Sequence, residues 1–168
     1  MIKKFIPFIV VFALVGAIVG IFLLLASKNQ MIVIKEHNLK KLPFELVLNK
    51  YQDSDCGMVI DDLTDVSQVI SPSGKTWFFH DHGGFVKWLE DKPFRNDAVI
   101  WVMSRDTKKY IDARSAYFSL TDETPMGYGF GAYEKKAEGR VDFDTMRLRM
   151  LRGENLNNPH IRKKLLGK

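Results

Sequence analysis

The chain has 168 residues, with 25 basic side chains, 20 acidic side chains and a single cysteine. The positive charge lies at the two ends: residues 1–28 carry a net +3 and residues 147–168 a net +6, whereas residues 29–146 carry a net −4. A basic excess confined to the ends argues against a nucleic-acid-binding domain, and a lone cysteine excludes an internal disulfide.

An unbroken run of 22 residues without a charge, Phe5–Ala26, opens the chain. As a helix it is long enough to span the roughly 30 Å of bilayer hydrocarbon. Two lysines precede it and Lys28 follows, which favours a cytoplasmic N-terminus. A cleaved signal peptide is the alternative, but it has a shorter apolar stretch and small residues at the cleavage site, where this chain has Leu24. We expect residues 1–28 to be a retained transmembrane signal anchor in the cytoplasmic membrane of a bacterium, with the rest facing the periplasm.

A hairpin followed by a helix is predicted after the anchor. Residues 29–50 are expected to form a stalk or a first strand, and Leu46–Leu48 is a candidate strand start. Val66–Ile70 and Lys75–Phe79 flank a Ser-Pro-Ser-Gly sequence, which is typical of a hairpin. Apolar residues then recur at helical spacing, which predicts a helix over Gly83–Asp91.

The same order of elements occurs again further along. Ala98–Met103 and Lys108–Ile111 are predicted strands, Tyr117–Leu120 another, and Phe143–Leu151 has helical spacing. The repeat predicts an α+β fold in which two small ββα-like units, about 51–96 and 97–152, build a domain over residues 51–146. Residues 147–168 are predicted to be a basic C-terminal helix and tail. That tail is either a frayed, solvated end or a docking segment for anionic lipid headgroups or an acidic partner.

The first candidate metal site is Asp55-Cys56-Gly57-Met58, which holds the only cysteine. In an extended segment, residues i and i+2 point to one face, so the thiolate of Cys56 and the thioether of Met58 can share one soft ion such as copper(I). Asp53 and Asp55 are expected to keep the segment polar and accessible. The alternative is a buried, inert cysteine next to a core methionine.

The second candidate is the glycine-rich segment that contains Met126. Glycines at 127, 129 and 131 make a pliable loop, and a methionine among glycines is unusual in a core. The loop is therefore expected to bring Met126 to a metal as a further sulfur donor. A phosphate-binding loop is the alternative, but no Lys-Ser/Thr pair follows it.

The third candidate is His80-Asp81-His82 at the end of a predicted strand. Histidines at i and i+2 on a strand end can ligate zinc or copper(II). Alternatively, these residues cap the following helix, where Asp81 or His82 would satisfy free amides. A hydrolase built on both histidines is the weakest hypothesis, because no third ligand or general base is visible and the motifs GxSxG, HExxH and CxxC are absent.

Three segments together resemble the NosL family, whose members are extracytoplasmic copper-binding accessory proteins linked to assembly of the copper centres of nitrous oxide reductase. The segments are Cys-Gly-Met-Val-Ile at 56–60, the hairpin with Gly74 and Trp-Phe-Phe at 77–79, and 111–129, which ends in Thr-Pro-Met-Gly-Tyr-Gly. The similarity covers about residues 51–133. It implies two similar ββα-like units and copper(I) held by sulfur.

Matched by position, the resemblance assigns Cys56, Met58 and Met126 as copper ligands. His82, ahead of His80, is expected as an auxiliary ligand, because the chain has His80-Asp81-His82-Gly83-Gly84 where many members of the family have an Asp-Asp-x-Gly-Cys-like segment. The anchor also departs from the family, since a membrane helix stands where a lipid-modified cysteine is usual.

Together these features predict a membrane-anchored copper(I) chaperone, not an enzyme, that serves a recipient copper enzyme such as nitrous oxide reductase or its maturation complex. The alternative is a scaffold without metal, which would bind another membrane complex through the glycine–aromatic loop and the basic tail.

Overall fold

The computed structural model describes residues 6–28 and 30–167. The chain divides into two compact units between Met31 and Ile32. The first contains helix α1, Ile6–Lys28. Its window Phe8–Leu25 is 18 residues long with a mean hydropathy of 3.2, which is long and apolar enough to cross a membrane, and a signal sequence would meet the same criterion.

The second unit is built on a five-stranded antiparallel sheet. Its strands are β1 (Ile34–Lys35), β2 (Ser67–Ile70), β3 (Thr76–Phe79), β4 (Val99–Met103) and β5 (Tyr110–Asp112), in the order β1-β3-β2-β4-β5. The β2–β3 hairpin closes where the Ser71 amide donates to the Lys75 carbonyl at 2.9 Å and Gly74 adopts φ +84°. The hairpin predicted from the Pro-Gly signal is confirmed.

The second unit also contains two helices of nine residues, one directly after β3 and one later in the chain. Helix α2, His82–Glu90, begins at the N-cap Asp81, and helix α3, Phe143–Leu151, begins at Asp142, whose carboxylate accepts from the Thr145 amide. A carboxylate at this position satisfies an amide that has no partner within the helix. The bounds agree with the two predicted helices to within one residue.

A second, three-stranded sheet separates β5 from α3. It contains β6 (Tyr117–Phe118), β7 (Ala132–Tyr133) and β8 (Val141–Asp142) in the order β7-β6-β8. A 3₁₀ turn at Ala113–Ser115 precedes β6, and a last helix, α4, runs over Pro159–Leu166. The α+β class is thus confirmed: β2-β3-α2 is one ββα unit, while three short strands lie between β5 and α3 in the other.

The five-stranded sheet has an apolar cluster on each face, because alternate side chains of a strand point to opposite faces. In β3, Phe79 packs with the main core of α2, α3 and the second sheet, whereas Phe78 packs with Leu46, Tyr51 and Ile60. The two hairpins pair side by side through β2 and β4, so they share one main core. The prediction of a strand start at Leu46–Leu48 is wrong: Leu46 is buried in this second cluster without forming a strand.

Candidate metal site

Asp53 shapes the loop that carries the cysteine. Its Oδ1 accepts from the backbone amides of Asp55 and Cys56 at 2.8 and 3.0 Å, and its carbonyl accepts from the Gly57 amide at 3.0 Å. Gly57 has φ +76°, a conformation that favours glycine. The segment is a turn, not the extended strand on which the pairing of Cys56 with Met58 was predicted. The reason is that a carboxylate three residues before the cysteine folds the backbone back on itself.

The same carboxylate holds His80, the first residue after β3. Asp53 Oδ2 accepts from the His80 backbone amide at 2.8 Å and lies 2.7 Å from the ring Nδ1. Asp53 itself is only 2% exposed, whereas residues 55–59 are exposed, so the segment is accessible as expected. Buried carboxylates require compensating donors, and four donors from one loop and one strand end meet that requirement here.

Asp53, Cys56 and His80 form a cluster in which one ligand atom of each lies within 4.8 Å of the others. Cys56 is exposed, as predicted, and its Sγ lies 3.8 Å from His80 Nδ1. A sulfur and a nitrogen bound to one ion at about 2.3 and 2.0 Å stand roughly 3.5–4.3 Å apart, depending on the angle between them. The observed separation therefore fits a shared ion without rearrangement of the backbone.

The pKa values of the three groups are not all shifted in the same direction. Burial raises the pKa of the Cys56 thiol, and the nearby charge of Asp53 adds to it although the Met58 amide opposes it. The hydrogen bond to Asp53 raises the pKa of His80 against the effect of burial. Burial disfavours the Asp53 carboxylate, but its hydrogen bonds to His80, Cys56 and Asp55 outweigh burial and lower its pKa. The metal-free thiol is therefore protonated at neutral pH, and a metal ion must displace that proton.

The cluster does not have the geometry of a cysteine–histidine–aspartate relay. In such a relay the two ring nitrogens have separate partners, one facing the nucleophile and one the carboxylate. Here Nδ1 of His80 faces both Cys56 and Asp53, while Nε2 is buried and has no partner among the described residues. The arrangement suits a metal ligand better than a general base.

Asp81 ties the Met126 loop to this region. Its Oδ1 accepts from the Gly83 amide at 3.0 Å, and its Oδ2 accepts from the Met126 amide at 2.9 Å. On the other side, Asn157 Nδ2 donates to the Met126 carbonyl at 2.9 Å. Hydrogen bonds thus fix the backbone of Met126 from both sides. The side chain of Met126 is half-buried, and Asp81, which accepts from the Met126 amide, is the residue next to His80.

Tyr128 brings the same loop near the cysteine. A Cβ built at Gly83 would lie 2.4 Å from the Tyr128 ring, so the ring rests on the first turn of α2 in the space that glycine leaves. Burial raises the pKa of Tyr128, and the charges of Asp81, Asp55 and Cys56 contribute to this. The link between this loop and the cysteine turn runs through neighbouring residues, because Asp81, which bonds Met126, follows His80, whose Nδ1 lies 3.8 Å from Cys56 Sγ.

His82 occupies a different environment. It is fully buried, its Nδ1 lies 2.6 Å from Ser67 Oγ, and its ring packs edge-on against Phe118 at 5.9 Å. Its Nε2 is 4.0 Å from Asp65, which forms a two-bond pair with Arg105 at 2.6 and 2.8 Å. Burial lowers the pKa of His82 to about 4. The structure thus does not include His82 in the cluster with Cys56.

Of the predicted ligands, Cys56 lies in the cluster, Met58 is half-exposed two residues beyond it, and Met126 lies in the loop bonded to Asp81. The alternative in which Asp81 caps the following helix is confirmed, but sequence reasoning missed its bond to Met126 and the role of Asp53. An Asp three residues before a Cys, in a polar stretch, is the signal of a side-chain-bonded turn that would have found Asp53.

Among solved structures, the chain is similar to a copper chaperone. The crystal structure of the copper chaperone NosL from Shewanella denitrificans is similar with a TM-score of 0.48 and 15% identity, over 64% of this chain and 87% of that one. No family model and no curated protein matches. A likeness at this level identifies neither the family nor the function of this chain.

Proposed function

We propose that this protein binds copper(I) through Cys56, with His80 as the histidine ligand. The observation that carries the proposal is the 3.8 Å separation of Cys56 Sγ and His80 Nδ1 at an exposed turn. Thiolate is the donor that soft copper(I) prefers, and imidazole is compatible with it. Asp53 would place His80 through the bond to its backbone amide, and Nδ1 would give up its hydrogen bond to the Asp53 carboxylate when it binds the ion.

Met58 and Met126 are proposed as the thioether donors that favour copper(I) over zinc. Thiolate, imidazole and carboxylate together also suit zinc(II), whereas thioethers add affinity chiefly for soft ions. The motif resemblance supports both methionines, and the fixed Met126 loop is bonded to Asp81, the residue next to His80. The contacts favour His80 over His82, because the Ser67 hydroxyl and the surrounding rings already occupy the environment of His82.

The proposed role is that of a membrane-anchored carrier outside the cytoplasm. Helix α1 would anchor the chain, and an exposed cysteine in a surface turn would be open to a recipient. Thioether ligands add no fixed negative charge, which favours release over storage. A copper enzyme such as nitrous oxide reductase, or its maturation complex, is the recipient that the sequence resemblance suggests.

The test is an anaerobic copper(I) titration of the detergent-solubilised full chain against a competing chelator, with zinc(II) in a parallel titration. Cys56→Ser should lower the copper(I) affinity by at least about 100-fold, since a thiolate provides the charge and the softest donor. His160→Gln, an exposed histidine on α4, is the matched control and should behave as the wild type.

Three results would count against the proposal. Equal copper(I) binding by the wild type and Cys56→Ser would exclude the assigned site. Tighter zinc(II) than copper(I) binding would exclude the copper role while keeping the site. No metal binding under reducing, copper-supplied conditions would favour the scaffold alternative.

A further inference from the structure

Helix α4 is specified by the sequence yet is only partly covered by the rest of the protein. Asn158 accepts from the His160 amide at 3.0 Å as the N-cap, Pro159 takes the first helical position, and Gly167 ends the helix with φ +70°. None of its eight residues is buried. Isolated helices of this length are marginal in water, and the described residues cover this one only in part, along the groove that Arg162 and Leu166 line.

The charge of α4 is positive and faces outward. It contains Arg162, Lys163 and Lys164 and no acidic residue, within a C-terminal segment of net +6 attached to a region of net −4. Arg162 lines a groove of about 460 Å³ whose other side carries Asp122 and Glu123, whereas the two lysines are exposed and do not line it. The lysine side of α4 is therefore the part that would attract an anionic surface.

The acidic groups beside the groove do not cancel that attraction. Asp122 is already engaged, since it accepts from the Tyr133 hydroxyl at 2.8 Å and lies 3.5 Å from Arg105. Glu123 is exposed. Ile161 and Leu165 are half-buried and Leu166 lines the groove, so the lysine side of α4 is the side left for anionic headgroups.

We propose that α4 docks on the anionic phospholipid headgroups of the membrane in which α1 is anchored. An acidic protein would satisfy the same charges, but the bilayer is favoured because only three residues separate the end of α1 from the start of the folded unit. Each lysine or arginine near such a surface contributes about fivefold in affinity. This inference rests on the membrane anchor of the proposed function and is independent of the copper site.

The experiment uses the full chain in nanodiscs of phosphatidylcholine alone and of phosphatidylcholine with phosphatidylglycerol. Hydrogen–deuterium exchange of the amides of residues 159–166 should slow by about tenfold in the anionic discs, and high salt should remove the effect. The variant R162Q/K163Q/K164Q should lose the slowing. The control K109Q/K135Q/K136Q, which removes three exposed charges elsewhere, should keep it.

Equal exchange of residues 159–166 in both kinds of disc would overturn the inference. So would slowing by added polyglutamate without any slowing by anionic discs, which would assign α4 to an acidic protein instead. A chain recovered outside the discs would contradict the anchor, and with it this inference and the membrane-anchored role, but not the copper site. Copper(I) titration of R162Q/K163Q/K164Q separates the copper site from these outcomes, because Asn157, which bonds the Met126 carbonyl, is unchanged in it.

Discussion

Two histidines that stand two residues apart have opposite surroundings. His80 shares Asp53 with the exposed cysteine turn, and this carboxylate raises its pKa. His82 lies in the interior against Ser67, and burial lowers its pKa to about 4. The strand ends at Phe79 and the helix begins at His82, so the two rings diverge where a continued strand would have placed them on one face. Both rings are buried, but His80 adjoins the exposed cysteine whereas His82 packs in the core.

The largest expected effect is on stability, and it distinguishes His82 from His80. His82→Ala would remove a buried ring that contacts Phe85 and Phe118 and leave the Ser67 hydroxyl without its partner. We expect a loss of about 3 kcal/mol in the free energy of unfolding, measured by denaturant titration. Copper(I) affinity of the remaining folded protein should stay within about twofold of the wild type. A large loss of copper affinity at unchanged stability would make His82 a ligand and reverse the comparison.

The second effect is a pH dependence that belongs to His82. Because its folded pKa is about 4 and its ordinary value 6.5, the unfolded chain binds a proton in this range that the folded protein does not. The free energy of unfolding of the metal-free protein should therefore fall as the pH drops from 6.5 towards 4, by up to about 3 kcal/mol. His82→Gln should flatten that slope, whereas His160→Gln should keep it. Parallel slopes for both variants would show that other groups carry the acid sensitivity.

A third effect concerns metal affinity. His80→Gln should lower copper(I) affinity by about 10–100-fold, because the imidazole donor is lost. Competition titration measures it, and circular dichroism checks the fold. Wild-type affinity in this variant would leave Cys56 without a histidine partner and contradict the cluster as the metal site.

The smallest expected effect lies in the loop. Met126→Leu nearly preserves side-chain volume, so stability should change by less than about 1.5 kcal/mol. Loss of the thioether should weaken copper(I) binding by about fivefold, or about 1 kcal/mol. Met103→Leu, in β4, is the matched control. If Met126→Leu collapses the fold instead, Met126 is a core residue and the loop has no part in binding.

The sequence predicted the elements that depend on local signals. The Pro-Gly hairpin, α2 and α3 follow from turn chemistry and helical spacing, and both helices begin at an aspartate cap. The exposed Cys56 was also predicted, from its polar neighbours. Residue types and short spacing decide all of these features.

Long-range contacts could not be predicted from the sequence. The pairing of Asp53 with His80 joins residues 27 positions apart, and the bond from Asp81 to Met126 spans 45. Spacing alone treated His80 and His82 as equivalent, because both lie between the predicted strand and the predicted helix and nothing local indicates which ring turns inward. Of the three short strands that precede α3, β6 lies within the predicted strand Tyr117–Leu120, whereas β7 and β8 are too short to show a periodic pattern.

Tyr128 resting on Gly83 has a consequence for how this chain can evolve. Any side chain at position 83 would collide with the ring, so a relative with alanine or a larger residue there should have a small residue where this chain has Tyr128. Positions 83 and 128 should therefore covary among homologues that keep the loop in place. In homologues that do not keep the loop in place, its length is expected to differ, since the Tyr128 ring would no longer have the surface at Gly83 that positions it.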